Sequence, residues 1–207
     1  MKMYLSSYRL GDSPERLVAL MGVKKKIAVI SNALDFTDDI NKRNIGVQRE
    51  IDDLNNLGLQ AEEVDLRIYF RKPNELEQML SKFGAVWIRG GNTFVLRRAF
   101  KQSGMDEWLI KQKDSKDFVY AGYSAGVCIL SPSLKGLEIV DDPVVIGEGY
   151  SKETIWEGLG LIDFAFAPHF ESPGHPETDA VSKEVEYYKK TGEKYRTLHD
   201  GESLIIE

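Results

Sequence analysis

Short apolar runs alternate with amphipathic segments along most of the chain. The runs at 26–31, 61–66, 85–88 and 118–121 predict buried strands. In the segments around them, apolar residues recur at three- and four-residue spacing, which predicts helices at 41–57, 74–83, 92–102 and 105–113 and a helix start at 124–130. Gly58 and Gly104 are expected to end two of these helices, since glycine readily adopts the conformation that follows a last helical turn.

The last third of the chain is richer in β-like and loop segments. Short strands are predicted at 139–140, 144–146 and 165–167, followed by a helix at 177–190. The runs 195–198 and 203–206 predict a closing hairpin, turned by Asp200 and Gly201. The whole pattern predicts one α/β domain over residues 1–207, with a mostly parallel sheet, helices on both faces and some antiparallel edge strands.

Three polar, turn-forming segments directly follow predicted strands. They are residues 89–93, 122–126 and 168–170. Because open parallel sheets bind ligands at the carboxyl ends of their strands, these segments are expected to meet on one rim of the sheet.

The segment Gly122-Tyr123-Ser124-Ala125-Gly126 carries the sharpest chemical signal. A Gly-x-Ser-x-Gly sequence between a strand and a helix is typical of the nucleophile elbow, in which a strained turn presents the serine hydroxyl. The backbone N–H of Ala125 would then point at an oxyanion at the start of the helix. The alternative is a turn that simply needs small residues.

A nucleophilic serine needs a base and a second oxyanion donor. Of the three histidines, His169 follows a predicted strand on the same rim, whereas His175 and His199 are weaker candidates. Gly90 and Gly91 let the backbone approach a substrate closely, and the next residue, Asn92, can bind substrate or cap a helix. A phosphate loop is not supported, since neither glycine-rich phosphate pattern occurs.

Composition narrows the choice of partners. The formal net charge is −6 without a basic stripe, so nucleic acid is not an expected partner. No apolar run approaches the ~20 residues of a membrane helix, and one cysteine excludes an internal disulfide, so we expect a cytoplasmic protein. His169 and His175, with Glu171 and Glu177 nearby, match no helix-borne metal motif, so no metal or other cofactor is expected.

Three segments together resemble the peptidase E (aspartyl dipeptidase) and cyanophycinase family of serine peptidases. These are residues 89–94, 122–126 and 168–170, with Gly174-His175-Pro176-Glu177-Thr178 beyond them, and the resemblance runs from about residue 27 to the end of the chain. It implies a three-layer αβα sandwich similar to class I glutamine amidotransferases.

The same resemblance implies roles for individual residues. Ser124 would be the nucleophile, His169 the base, and the amides of Gly91 and Ala125 the oxyanion hole. The third member of the triad stays open. The family pattern favours Asp200, which precedes a glycine, and Asp141 with its neighbour Asp142 is the alternative.

The expected function is that of a serine peptidase that hydrolyses small peptides. The sequence departs from the aspartyl dipeptidases after the Glu-Thr pair, where Asp179 stands in place of an arginine, so another cation such as Arg89 or Arg71 would have to bind an acidic substrate. The alternatives are a glutaminase-like amidase and a metabolite-binding protein with a vestigial serine. Trp108 and Trp156 are candidates for a homodimer interface or for the core.

Overall fold

The fold is described from a computed structural model that covers all residues, 1–207. Eight strands are present: β1 (Lys2–Ser6), β2 (Lys26–Ile30), β3 (Gln60–Glu63), β4 (Ala85–Ile88), β5 (Val119–Tyr123), β6 (Ala165–Ala167), β7 (Tyr195–Thr197) and β8 (Ser203–Ile206). Seven α-helices accompany them: α1 (Glu15–Met21), α2 (Ile40–Asn56), α3 (Pro73–Leu80), α4 (Thr93–Ser103), α5 (Met105–Lys111), α6 (Ala125–Cys128) and α7 (Thr178–Thr191). None of the helices is long and apolar enough to cross a bilayer.

A six-stranded sheet forms the centre, in the order β3-β2-β4-β5-β1-β8. All of its pairs are parallel except β1 with β8, which is the expected antiparallel edge. The strands β6 and β7 form a separate parallel pair. The predicted mostly parallel sheet is therefore present.

Alternation along the strands creates the layers. In β4, Ala85 and Trp87 join the apolar cluster that packs under α1 and α2, whereas Val86 and Ile88 join the larger cluster under α3 to α6. Successive side chains of a strand point to opposite faces, so each central strand feeds both clusters. The result is the predicted three-layer αβα sandwich.

Several local predictions were wrong. Residues 139–140 lie at the end of a 3-10 turn, Leu137–Ile139, and residues 144–146 form no strand. The run at 61–66 is a strand only to Glu63. The predicted closing hairpin is absent because its two strands have different partners: β7 pairs with β6, and β8 pairs with β1. Both β1 and α1 were missing from the prediction.

The segment 141–154 is held by side-chain contacts instead of strand pairing. Arg98 of α4 is fully buried, and its guanidinium donates to the carbonyl oxygens of Pro143 (2.7 Å), Val145 (3.3 Å) and Glu153 (2.8 Å). These bonds use carbonyl groups that a strand would present to a neighbour. Arg98 thereby fixes the segment that begins with Asp141.

Replacing Arg98 by methionine is expected to lower the free energy of unfolding by about 3 kcal/mol, because three carbonyls lose a charged donor. Urea denaturation measures the change. Lys101→Met on the same helix is the matched control, since the Lys101 side chain is exposed. Equal stability of the two variants would show that Arg98 does not anchor this segment.

Candidate active site

Ser124 lies on the turn between β5 and α6 in a strained conformation. Its φ is 49° and its ψ is −122°, a region that residues with a side chain rarely adopt. The serine is half-buried, and its hydroxyl makes no hydrogen bond to another protein group. An accessible hydroxyl on such a turn can attack a bound carbonyl.

The glycines around Ser124 are required by close packing. A Cβ at Gly126 would lie 2.3 Å from the carbonyl oxygen of Ile88, and one at Gly122 would lie 2.6 Å from the same atom. On the neighbouring loop, a Cβ at Gly90 would lie 2.9 Å from the Cβ of Ser124. The turn can therefore sit against β4 and the loop after β4 only without side chains at these positions.

Two backbone amides beside Ser124 have no partner in the protein. Gly91, at φ 147°, donates to no protein acceptor, and Ala125 is the first residue of α6, whose N–H has no acceptor within the helix. Asn92 lies outside the cavity and is engaged in capping: its Oδ1 accepts from the amide of Val95 (2.9 Å), and its Nδ2 donates to the carbonyl of Asp142 (2.9 Å). Of these residues, Gly91 and Ala125 have backbone amides that are free beside Ser124.

His169 is buried near Ser124 and is held by Asp200. Its Nδ1 lies 2.6 Å from Oδ1 of Asp200, and its backbone N–H donates to the hydroxyl of Ser7 (2.9 Å). The Ser7 hydroxyl is in turn 3.0 Å from the same Asp200 oxygen. An ionised carboxylate accepts from Nδ1–H, so this pairing leaves the lone pair on Nε2.

The structure separates the two candidate acids. Asp200 lies on the turn from β7 to β8, where its backbone N–H donates to the Ser172 hydroxyl (2.8 Å). Asp141 is half-buried and lines a small space beside the serine, but its carboxylate accepts from the backbone N–H of Thr93 (2.7 Å) and makes no hydrogen bond to His169. The burial of Asp141 raises its pKa to about 6.

His175 stacks on the ring of His169. The ring centroids are 3.7 Å apart with an interplanar angle of 4°. Burial lowers the pKa of His169 below its ordinary value of 6.5, Asp200 opposes that shift, and a charged His175 would add to it. A lowered pKa keeps the imidazole neutral, and able to accept a proton, to a lower pH than usual. The remaining histidine, His199, lies at the surface away from the cavity.

Ser124 and His169 line a cavity of about 220 Å³ with two arginines on one wall. Arg49 and Arg89 both approach the carboxylate of Glu50, at 3.2 Å and 3.4 Å. That carboxylate is buried and already accepts from Trp87 Nε1 and the Tyr123 hydroxyl, each at 2.9 Å. Two cations thus face the carboxylate of Glu50, and a second carboxylate, that of Glu177, lines the same cavity.

Asp179 and Arg71, which the sequence analysis considered for binding a charged substrate, lie away from the cavity at Ser124. Asp179 lies in the first turn of α7 and lines a surface depression with Lys183 and Glu186, away from Ser124. Arg71 bonds through its backbone to Gln102, at the end of α4 remote from the loop at 89–93. The substitution at Asp179 therefore does not place a negative charge in the cavity, and Arg89 is the candidate cation that borders it.

His169, His175 and Glu177 form the group whose geometry comes nearest to a metal site. Their nitrogen and oxygen atoms lie within 4.8 Å of one another. Stacked parallel rings direct their nitrogen lone pairs side by side, whereas a metal about 2.1 Å from each nitrogen needs them to converge. One ring would have to rotate before both could bind the same ion.

The one cysteine, Cys128, takes no part in this chemistry. Cys128 is 2% exposed, and its Sγ donates to the carbonyl oxygen of Phe166. Burial raises the pKa of its thiol well above the usual range. A thiol nucleophile at this position is therefore excluded.

Several residues of the site were missed in the sequence. They are Ser7, Tyr8, Arg49, Glu50 and Glu184. Glu50 and Glu184 had a detectable signal, because each occupies an inward position in the apolar stripe of its helix, α2 or α7. Ser7, Tyr8 and Arg49 carried none.

Known proteins share this architecture. A protein of Listeria monocytogenes solved as a candidate peptidase E superposes with a TM-score of 0.77 at 23% identity, covering 99% of this chain and 93% of its own. A peptidase from an acI-B1 actinobacterium superposes with a TM-score of 0.61 at 18% identity, over 89% of this chain and 74% of its own. Similarity at this level shows the fold alone.

Comparison of sequences identifies the family. The model of peptidase family S51 matches residues 17–207. An uncharacterized peptidase of Listeria monocytogenes is 30% identical over 153 residues, which cover 74% of this chain and 70% of the relative. Peptidase E of Streptomyces coelicolor is 34% identical over 94 residues, covering 45% of this chain and 35% of that protein. The chain belongs to peptidase family S51 and is a serine-type peptidase.

Proposed function

We propose that this enzyme hydrolyses small peptides through a Ser124–His169–Asp200 triad and a covalent acyl-enzyme. The observation that supports it most is the pairing of His169 Nδ1 with Asp200 at 2.6 Å, on the wall of the cavity that also holds the strained Ser124. The base is thus oriented by an acid, and it lines the same cavity as the nucleophile.

The reaction follows from these positions. Ser124 Oγ bonds to the scissile carbonyl carbon, and its proton passes to Nε2 of His169. The oxygen of the tetrahedral intermediate accepts hydrogen bonds from the amides of Gly91 and Ala125. The carbon–nitrogen bond then breaks as His169 returns the proton to the leaving amine. Water, deprotonated by the same histidine, attacks the acyl-enzyme and restores the serine.

The two arginines on the cavity wall favour a substrate whose first residue has an acidic side chain. Arg89 and Arg49 border the cavity together with Glu177, and both contact Glu50. Nε of Arg49 is buried without a hydrogen-bond acceptor, and Nε of Arg89 has only Glu50 near it, at 3.4 Å. A carboxylate can accept such donors in paired hydrogen bonds. A peptide whose first side chain is acidic is therefore the preferred substrate.

The glutaminase alternative is disfavoured because the buried Cys128 cannot replace the serine. The alternative of a vestigial serine predicts no turnover. Both are separated from the proposal by the experiments below.

Ser124→Ala is expected to remove all cleavage of a dipeptide library followed by mass spectrometry, because no other nucleophile lines the cavity.

Asp200→Asn should lower kcat by about 10⁴, since the histidine loses the acceptor that fixes its tautomer. Asp141→Asn removes the other candidate acid and should keep a far higher kcat. A larger loss of kcat for Asp141→Asn than for Asp200→Asn would contradict the assignment.

Arg89→Met is expected to lower kcat/KM for peptides that begin with Asp by about 10- to 100-fold, because a charged hydrogen bond is lost. Peptides that begin with Ala should change little, so the ratio of the two is the measurement. Arg16→Met, on the exposed face of α1, is the control. An unchanged ratio would show that the acidic side chain binds elsewhere.

A further inference from the structure

Tyr8 is an aromatic residue beside His169 that the proposed reaction leaves unused. It directly follows Ser7, whose hydroxyl accepts from the backbone N–H of His169 and donates to Asp200. The segment after β1 therefore positions the base and Tyr8 together. Tyr8 is 40% exposed, so much of its ring is open to a ligand.

The ring of Tyr8 lies beside the stacked histidine rings. Its centroid is 5.8 Å from that of His169 and 5.5 Å from that of His175, with interplanar angles of 71° and 72°. Since the two distances are nearly equal, Tyr8 faces the edges of the stack and not its top. Tyr123, next to Ser124, makes a T-shaped contact with the same ring at 6.1 Å. Three aromatic contacts of this kind fix the position of the Tyr8 ring.

The backbone beyond Tyr8 turns sharply and is also fixed. Arg9 and Gly11 have φ of 48° and 65°, and the N–H of Gly11 donates to the carbonyl oxygen of Tyr8 (3.1 Å). The N–H of Asp12 donates to the carbonyl oxygen of Gly201 (2.8 Å), on the turn between β7 and β8. This turn also carries the acid of the triad, so Tyr8 is anchored to the same loop as the base.

Tyr8 separates the cavity at Ser124 from a neighbouring cavity of about 320 Å³, and it is the one residue that lines both. Leu10 is the other apolar residue of the second cavity. The one cation there, Arg9, is paired with Asp53, and a second carboxylate, that of Asp12, lines the same space. The second cavity therefore offers an apolar surface next to an excess of negative charge.

The chemistry of the leaving group decides which part of a substrate meets Tyr8. His169 returns its proton to the leaving amine, so the leaving nitrogen must come within about 2.6–3.2 Å of Nε2. The Cβ of the leaving residue is about 2.5 Å from that nitrogen, because two single bonds separate them. The side chain of the leaving residue is thus carried past His169, and Tyr8 is the aromatic residue that both packs on His169 and lines the cavity.

We propose that Tyr8 and Leu10 bind the side chain of the leaving residue, which extends over Tyr8 into the second cavity. The inference rests on the proposed function and adds to its substrate class: peptides whose leaving residue has an aromatic or large aliphatic side chain. Glycine has no side chain to place there, and an acidic side chain meets the carboxylates of Asp12 and Asp53. Both are therefore poor leaving residues.

The first test varies only the leaving residue. The wild type is given Asp-Phe, Asp-Leu, Asp-Gly and Asp-Glu, and the same four peptides with Ala in first place. We expect kcat/KM to be about 10- to 100-fold higher for the Phe member than for the Gly member, the effect of burying an aromatic side chain. Equal values for the Phe and Gly members in both series, or the highest value for Glu, would overturn the proposal.

The second test assigns the preference to Tyr8. Tyr8→Ala should lower kcat/KM for Asp-Phe about 10-fold more than for Asp-Gly, mainly through KM, whereas Tyr8→Phe keeps the ring and should keep the preference. Tyr187→Ala, which truncates a tyrosine on α7 away from the cavity, is the matched control. Equal losses on both peptides would show that Tyr8 only supports His169. Leu10→Ala repeats the test if Tyr8→Ala does not fold.

Acyl transfer separates the site of the leaving residue from that of the first residue. An amine that attacks the acyl-enzyme enters where the leaving amine departs: its nitrogen bonds to the acyl carbon, the bond from that carbon to Ser124 Oγ breaks, and a proton passes through His169 to Oγ. With aspartic acid α-methyl ester as donor, the wild type should transfer to phenylalaninamide about 10-fold more than to glycinamide, and Tyr8→Ala should lose this preference. Equal transfer to both amines by the wild type would place the contact of Tyr8 outside the leaving-residue site.

Failure of this proposal can be distinguished from failure of the triad. Hydrolysis of the same methyl ester, whose leaving group carries no side chain, reports the chemistry of Ser124 alone. If this hydrolysis depends on Ser124 and the Phe and Gly peptides are cleaved equally, only the site at Tyr8 is wrong. If Ser124→Ala hydrolyses the ester and the peptides as the wild type does, the proposed function is wrong, and this proposal with it.

Discussion

The close approach of the turn at Ser124 to β4 is the constraint on which the site depends. The carbonyl oxygen of Ile88 lies where side chains at Gly122 and Gly126 would need to be, and the loop at Gly90 lies against the Ser124 side chain. These contacts hold the serine at a φ of 49°, which costs about 1–3 kcal/mol in isolation. Packing of the core on both faces of β4 and β5 offsets that cost, since both strands are fully buried.

The second requirement is to bring the histidine to the serine from a distant part of the chain. Ser7, at the end of β1, accepts from the backbone of His169 and contacts the carboxylate of Asp200. Because β1 lies between β5 and β8, it carries Ser7 to the rim next to Ser124 and next to the turn that holds Asp200. Strand order in the sheet thus assembles three residues that are far apart in sequence.

The sequence predicted the parts of the site that depend on local patterns. The strands β4 and β5, the glycines around Ser124 and the helix capped by Asn92 all follow from short-range periodicity and turn chemistry. The absence of the predicted hairpin could not be foreseen from local patterns, because β7 and β8 pair with distant strands. The turn between them is still present and holds Asp200. Arg49 was equally hidden, although Arg89 was named from the sequence. Arg49 reaches the cavity from the middle of α2, where nothing local distinguishes it from a solvated arginine.

The account predicts above all that Ser124 is a reactive nucleophile, and covalent labelling tests this most directly. A fluorophosphonate should add to the intact protein once, with loss of fluoride, and peptide mapping should place the adduct on Ser124. The adduct should be absent from Ser124→Ala and should form far more slowly in Asp200→Asn. An adduct that forms equally well on Ser124→Ala, or none on the wild type, would contradict the account.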